Sequence, residues 1–359
     1  MKEVDNQTPF PHLFFDKMGP GRRFHDVVVV RGSFDLHPDR LTLAKEQTPP
    51  ILADSWWDEN NAELSSLREV GDVLLHKPGT DVFATGTAYS SQRQPMEHWS
   101  AGVMVIREQT VLLKHFLELT GPRTWQHSLL KGWHLSAPTS TDAVPLRYEL
   151  AYGGVRLKRS RQDKKTFTLD TYQPNPSGTG YFNTNDLETH TRYPGPQIES
   201  PDHPVRSPNK SYPLTGFGPV ARFWSARKQY AGTYDAAWRE QFSFSKANGL
   251  APDFPPDFDL RFYQCAPQAL ISPKHLAGNE RMGLGGMLAD STIFSTHLPG
   301  IRIQAHILAA AASPAQLMPL NLDTVHIDLD ARQIHLTWRL CLDPDFGVRT
   351  LTLDWSTFS

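Results

Sequence analysis

Cysteine is nearly absent: the 359 residues contain only Cys265 and Cys341, in unrelated local contexts. Two cysteines cannot form the framework that staples small secreted domains. A bridge between them stays open, but two buried thiols in a reducing compartment are the expectation. Long hydrophobic runs are missing too, since no window approaches the roughly 18 apolar residues that a membrane-spanning helix needs. The start, MKEVDNQTPFPHLFF, lacks the basic end, apolar stretch and small-residue cleavage site of a signal peptide. A cytoplasmic location without membrane insertion is therefore expected. No excess of one charge exists either: 36 Lys and Arg against 38 Asp and Glu leave a net charge of −2. That balance offers no electrostatic footprint for nucleic acid. Internal repeats, heptads and low-complexity tracts are also lacking.

Catalytic signatures are equally sparse. Fifteen histidines invite a metal reading, yet HExxH, His-x-His and CxxC do not occur. There is no GxSxG elbow and no P-loop. Met282 to Met287 (MGLGGM) does not fit the dinucleotide-binding glycine pattern and reads as a tight connection. His326 and His335 read as surface histidines on a polar strand face, and His25 as the end of a strand. No cofactor and no metal is implied.

What the chain does have is proline, glycine and aromatic residues in quantity: 29 Pro, 24 Gly, and 11% Phe, Trp and Tyr. With 39% hydrophobic and 21% charged residues it is a globular composition. The Pro and Gly content favours β-structure with long connections over a helical bundle. Asp26 to Leu36 (DVVVVRGSFDL) reads as a strand interrupted by Gly32 as a possible bulge. Val73 to Tyr89 reads as two short strands around Lys77-Pro78-Gly79-Thr80. Trp99 to Thr120 reads as a hairpin turning at Glu108 and Gln109, and Leu146 to Tyr152 as a strand ended by Gly153-Gly154. Between Val155 and about Pro256 alternation fades. Arg156 to Lys165 (RLKRSRQDKK) reads as an exposed basic loop or ribbon. One helix is predicted, capped by Thr233, with Asp235 in its first turn and Trp238 and Phe242 on one face.

Thr324 to Leu340 (TVHIDLDARQIHLTWRL) alternates on both sides of Asp330 to Gln333. Folding there pairs Leu329 with Ile334, Ile327 with Leu336 and Val325 with Trp338 on one buried face. Asp328 with His335 and His326 with Thr337 fall on the other face. A third strand is expected from Gly300 to Leu308.

The richest stretch is Gly216 to Gln268 (GFGPVARFWSARKQYAGTYDAAWREQFSFSKANGLAPDFPPDFDLRFYQCAPQ). Its glycines, prolines and rings stand where a repeated pattern should be, so its shape must come from close turns and buried rings. Tyr152, Phe217, Trp224, Arg227, Tyr234, Trp238, Phe258, Arg261 and Phe262 are the candidate protein-binding residues, because Trp, Tyr and Arg dominate interface hot spots. The same rings could serve only as a core. Asp253, Asp257 and Asp259, with Glu149, leave open a carbohydrate-active hydrolase, two carboxylates being what glycosidic cleavage requires. A sugar-binding β-module stacking its ligand on Trp224 is a further alternative.

Eight stretches in order resemble a bacterial family of type VI secretion effector adaptors. They are Met18 to Leu36, Gly71 to Tyr89, Pro145 to Gly154 (PLRYELAYGG), Asn175 to Phe182 (NPSGTGYF), Gly216 to Arg227 (GFGPVARFWSAR), Gly232 to Trp238 (GTYDAAW), Asp257 to Gln268 (DFDLRFYQCAPQ) and Leu322 to Arg339. The resemblance implies a cytoplasmic adaptor or chaperone that loads a toxic effector onto the VgrG spike protein, often with a PAAR-type tip. It brings no catalytic residues. Tyr263-Gln264-Cys265 departs from the small or Asn-bearing stretch usual after the DFD-x-R-F motif.

The expected architecture is mainly β, with antiparallel sheets, sandwich-like, long irregular loops and one or two short helices. Two lobes, 1–155 and 156–359, interlocked as one unit, are the expected organisation, because the final hairpin needs a sheet partner.

Overall fold

The computed structural model describes residues 3–159, 167–309 and 315–358. The protein is mainly β, and three sheets hold most of its strands. The central, seven-stranded sheet runs in the order His12–Met18, Phe24–Asp35, Gln333–Cys341, Asn321–Asp328, Thr80–Thr85, Ile271–Ser272, with Thr42–Leu43 beside Phe24–Asp35. Its pairs are antiparallel except Asn321–Asp328 with Thr80–Thr85. The second sheet orders Ile198–Glu199, Thr110–Thr120, His98–Arg107, Arg281–Leu288 and Ser291–His297. The third orders Glu3–Asn6, Val348–Thr357, Ile301–Ala309 and Gln316–Pro319. One buried apolar cluster draws residues from all three, among them Val30, Val105 and Leu353, so the sheets are layered on a common core in sandwich-like fashion. Strands from both sides of residue 155 lie side by side in the central and second sheets.

The valine run explains where the core sits. Val27 to Val30 are all buried because Phe24–Asp35 lies inside its sheet, covered on both faces. Gly32 forms no bulge: it pairs with Leu336 in unbroken register. It is glycine because a Cβ there would meet the rings of Phe10 and Phe34 at 2.9 Å. The two strands expected after Val73 are Thr80–Thr85 and Thr87–Tyr89, parted at Gly86 rather than at Lys77 to Thr80. His98–Arg107 and Thr110–Thr120 form the expected hairpin, with Glu108 in the left-handed region at φ 54°. The glycines of Met282 to Met287 lie in the strand Arg281–Leu288, not in a connection. His25 lies within Phe24–Asp35 and does not end it.

Leu146 to Tyr152 is not one strand. Tyr148–Leu150 is a 3-10 turn; Ala151 makes a single parallel bridge to Ile198, and Tyr152–Gly153 pairs parallel to Thr179–Gly180. Burial of the Tyr148 ring, whose hydroxyl donates to the Gly218 carbonyl at 2.8 Å, overrides the alternation there. Val155–Arg159 pairs with Phe167–Thr171 as a ribbon, while residues 160–165 of the basic stretch lie outside the described residues. The strand Ile301–Ala309 exists, but it belongs to the third sheet, not beside the C-terminal hairpin. Two α-helices occur among the described residues, Ser225–Lys228 and Ala236–Ala247. The second is capped by Asp235, whose carboxylate accepts the Trp238 N–H at 2.9 Å. Thr233 instead donates its hydroxyl to Asp257.

The C-terminal hairpin forms with both faces buried. Its register differs by two residues from the simple fold-over: Ile327 faces Ile334, Val325 faces Leu336 and His326 faces His335. A bulge between Leu322 and Thr324 accompanies this register. A two-residue shift leaves every side chain on its expected face, so the pattern survives while the partners change.

Candidate functional site

The segment from Gly216 to Gln268 holds its shape through backbone anchors rather than regular structure. The Phe217 carbonyl accepts the Ala84 N–H of the central sheet, and the Gly216 carbonyl meets His115 Nε2 at 3.1 Å. Arg227, 3% exposed, donates to the carbonyls of Val220 and Phe262, tying two arms of the segment together. The Cys265 N–H donates to Asp81 Oδ2 at 2.7 Å, and its carbonyl accepts the Val220 N–H. These bonds make the segment a firm platform on the sheet.

The nine candidate residues divide by position. Phe217 and Trp224 lie in the main core; Trp224 has no exposed surface and stacks edge-on against Tyr148. Tyr152 belongs to a separate cluster with Trp125, Tyr172 and Tyr212. With Arg227, these four shape the fold and are closed to a partner. Phe258 and Phe262 are half-buried against Tyr263, Val27 and Val29. Tyr234, Trp238 and Arg261 reach the surface, Tyr234 at 48% exposure. Tyr234 stands edge-on to Trp238 with ring centroids 4.6 Å apart, and Trp238 meets Phe242 at 5.2 Å. Of helix Ala236–Ala247 only Ser245 is buried, and Phe244 is 66% exposed. A cleft of about 250 Å3 opens instead beside the short helix Ser225–Lys228, lined among others by Leu214, Ala226, Tyr230, Arg261 and Ile271 and by no residue of helix Ala236–Ala247. At its rim the Arg261 guanidinium sits over the Tyr230 ring, 4.5 Å from the centroid.

The carboxylates are each engaged. Asp259 caps the 3-10 turn Leu260–Tyr263 and bonds Arg261 at 2.6 Å, which holds its carboxyl below the usual range. Asp257 accepts from both the N–H and the hydroxyl of Thr233. Asp253 accepts the Gly21 N–H, and Glu149 accepts from Ser65 and Ser66. Among the described residues, no group of three or more His, Cys, Asp or Glu is placed to hold a metal ion.

Sequence reasoning missed the second polar feature. One face of the central sheet carries three cross-strand rows: Arg31, Thr337, Thr324 and Asp81; Ser33, His335, His326 and Phe83; Asp35, Gln333, Asp328 and Thr85. Most of these residues are buried, so the histidines are not surface residues. They oppose each other directly, and Phe83 stacks on His326 at 4.7 Å. Next to them Lys77 Nζ contacts Asp81 and the Thr324 hydroxyl, each at 2.8 Å. Burial alone would lower this ammonium, but the Asp81 carboxylate outweighs it and the pKa rises. Arg339 Nε meets Asp323 at 2.6 Å and, against the desolvation of that carboxyl, holds its pKa down. Burial pushes the Cys265 thiol up to about 12. The available signal was a charge within every strand that alternation had assigned to a solvated face.

Among the described residues, no helix is long and apolar enough to cross a membrane. No curated protein and no solved structure matches the chain. A family model described as "Uncharacterized protein conserved in bacteria (DUF2169)" matches residues 21–339, and with nearly its whole length inside that match the chain belongs to this family.

Proposed function

We propose that the protein is a non-enzymatic adaptor that holds a type VI secretion effector and helps load it onto the VgrG spike, with or without a PAAR-type tip. The observation that carries this reading is helix Ala236–Ala247, which projects three rings from a platform while burying only Ser245. Trp238, Phe242 and Phe244, with Tyr234 before them, give a partner apolar anchors on a backbone that is already ordered. In the same segment, the cleft of about 250 Å3 at helix Ser225–Lys228 has room for one or two apolar side chains. An effector segment with alternating large residues, docked in helical or extended form, fits both. The engagement of Glu149, Asp257 and Asp259 with local donors favours this reading over a glycoside hydrolase.

The test is co-purification of the full chain with the effector and the spike protein encoded beside it. Recovery of the effector, lost in a Tyr234→Ala/Phe244→Ala variant that stays folded, supports the adaptor. Recovery of neither protein by the wild-type chain overturns it.

A further inference from the structure

The polar face of the central sheet ends in a second cleft, of about 420 Å3, lined by Arg31, Trp57, Glu69, His326, Asp328 and His335 among others. Its floor is regular: Ser33 pairs with His335, and His335 with His326, so the floor is held by strands on both sides. One wall carries Trp57, whose ring is covered by the Arg147 guanidinium at 3.7 Å.

Arg31 is the group that sets this cleft apart. It is 4% exposed. Its Nε, shut off from solvent, has no hydrogen-bond partner among the described residues. Its carboxylate neighbour, Asp72 Oδ2, lies 3.6 Å from Nη1, beyond hydrogen-bonding length, and already accepts the Ile51 N–H at 2.8 Å. Arg339 deeper in the same face shows the contrast, with Asp323 and the Asp72 carbonyl bonded to it at 2.6 Å each. A buried guanidinium with Nε unmatched and its nearest carboxylate as far as 3.6 Å from Nη1 is costly, and a carboxylate matches the guanidinium fork in shape and charge.

We propose that this cleft binds a small zwitterion, an amino acid or the end of a peptide, with its carboxylate on Arg31. The rim determines the second charge. Glu69, Asp328 and Asp330 line the same cleft against one further cation, Arg68, 3.8 Å from Glu69, so the carboxylates outnumber the cations and attract an ammonium placed a few ångströms from the ligand carboxylate. The two imidazoles supply neutral polar contacts. His335 Nδ1 meets Ser33 Oγ at 3.0 Å and His326 Nε2 meets Thr85 Oγ1 at 2.7 Å, which leaves one ring nitrogen on each for a ligand. Burial holds both rings below their ordinary pKa, so they remain uncharged at neutral pH. None of its lining residues belongs to the ring-bearing helix, and the site does not depend on effector capture.

Titration calorimetry of the full chain at neutral pH, with glycine, diglycine, glycinamide and acetate as probes, tests it. Glycine or diglycine binds saturably, acetate at least about tenfold more weakly, and glycinamide, which lacks the carboxylate, not at all. A preference for glycine identifies a free amino acid, and a preference for diglycine a chain end. Arg31→Met abolishes the binding. Glu69→Gln, on the exposed rim, keeps it but narrows the gap between glycine and acetate, and remains informative if Arg31→Met does not fold. The proposal is overturned if neither glycine nor diglycine binds well above about 1 mM. Equal binding of glycinamide and glycine, or undiminished binding by a folded Arg31→Met protein, also overturns it.

Discussion

His326 and His335 face each other across the antiparallel C-terminal hairpin, with ring centroids 5.4 Å apart and planes inclined by 40°. Both are buried, in the interior of a seven-stranded sheet. Desolvation, reinforced by Arg31 nearby, holds His335 down to about 3 and His326 well below its ordinary value.

Acid should therefore destabilise the protein through this pair. The unfolded chain takes up these protons below about pH 6.5, while the folded chain does not. Stability from the two rings is present above that pH and is lost as pH falls toward 3, by up to about 1.4 kcal/mol per pH unit for each ring. Urea unfolding at pH 7.5, 6 and 5 measures the slope. His335→Gln should make it shallower, and an unchanged slope would show that the pair does not control it.

The buried pair of Arg339 and Asp323 should show strong asymmetry between single and double replacement. Arg339→Met leaves the Asp323 carboxylate buried without its paired cation, with the Thr324 hydroxyl still donating to it, and should cost about 3–5 kcal/mol in chemical denaturation. Arg339→Met/Asp323→Leu removes both charges and should recover much of the loss. A double variant as unstable as the single one would contradict the account.

Two rings of the same segment should behave oppositely. Trp224→Ala opens a cavity in the main core and should cost about 3–5 kcal/mol. Tyr234→Ala, at a surface position, should change stability by only about 0.5 kcal/mol while weakening effector capture. Thermal melts and co-purification of the two variants separate the roles.

Neither thiol should react readily in the folded protein. Burial pushes Cys265 to about 12 and Cys341 to about 11, so little thiolate forms near pH 8. Ellman's reagent should release little colour from native protein and two equivalents after unfolding. Fast native labelling of Cys265 would show that its surroundings open.

Much of the β-architecture was readable because alternation and turn chemistry are local. Glu108 and Gln109 mark a hairpin turn through residues adjacent in the chain, and the Thr324 to Leu340 pattern names its own reversal point. The register of that hairpin was not readable. The parallel neighbour Thr80–Thr85, the strand Phe24–Asp35 and the bulge after Leu322 all bear on it, and these come from distant parts of the chain. The Leu146 to Tyr152 stretch alternates like a strand yet turns, because burial of the Tyr148 ring against Trp224 and Gly218 outweighs local propensity.

The sites divide in the same way. Aromatic content and missing motifs in Gly216 to Gln268 marked a platform, but which rings face outward was decided by packing: Trp224 went to the core and Tyr234 to the surface. The Arg31 cleft left no local trace, since its lining comes from Arg31, from Thr48 to Glu69, from Thr85 and Gly86, and from His326 to His335, and these meet only when the sheet forms. Composition and periodicity determined that this chain is mainly β, with antiparallel sheets and few short helices, because strand pattern and turn residues act over a few positions. Burial of charge on the second face of a sheet depends on what covers that face, and only the tertiary structure decided it.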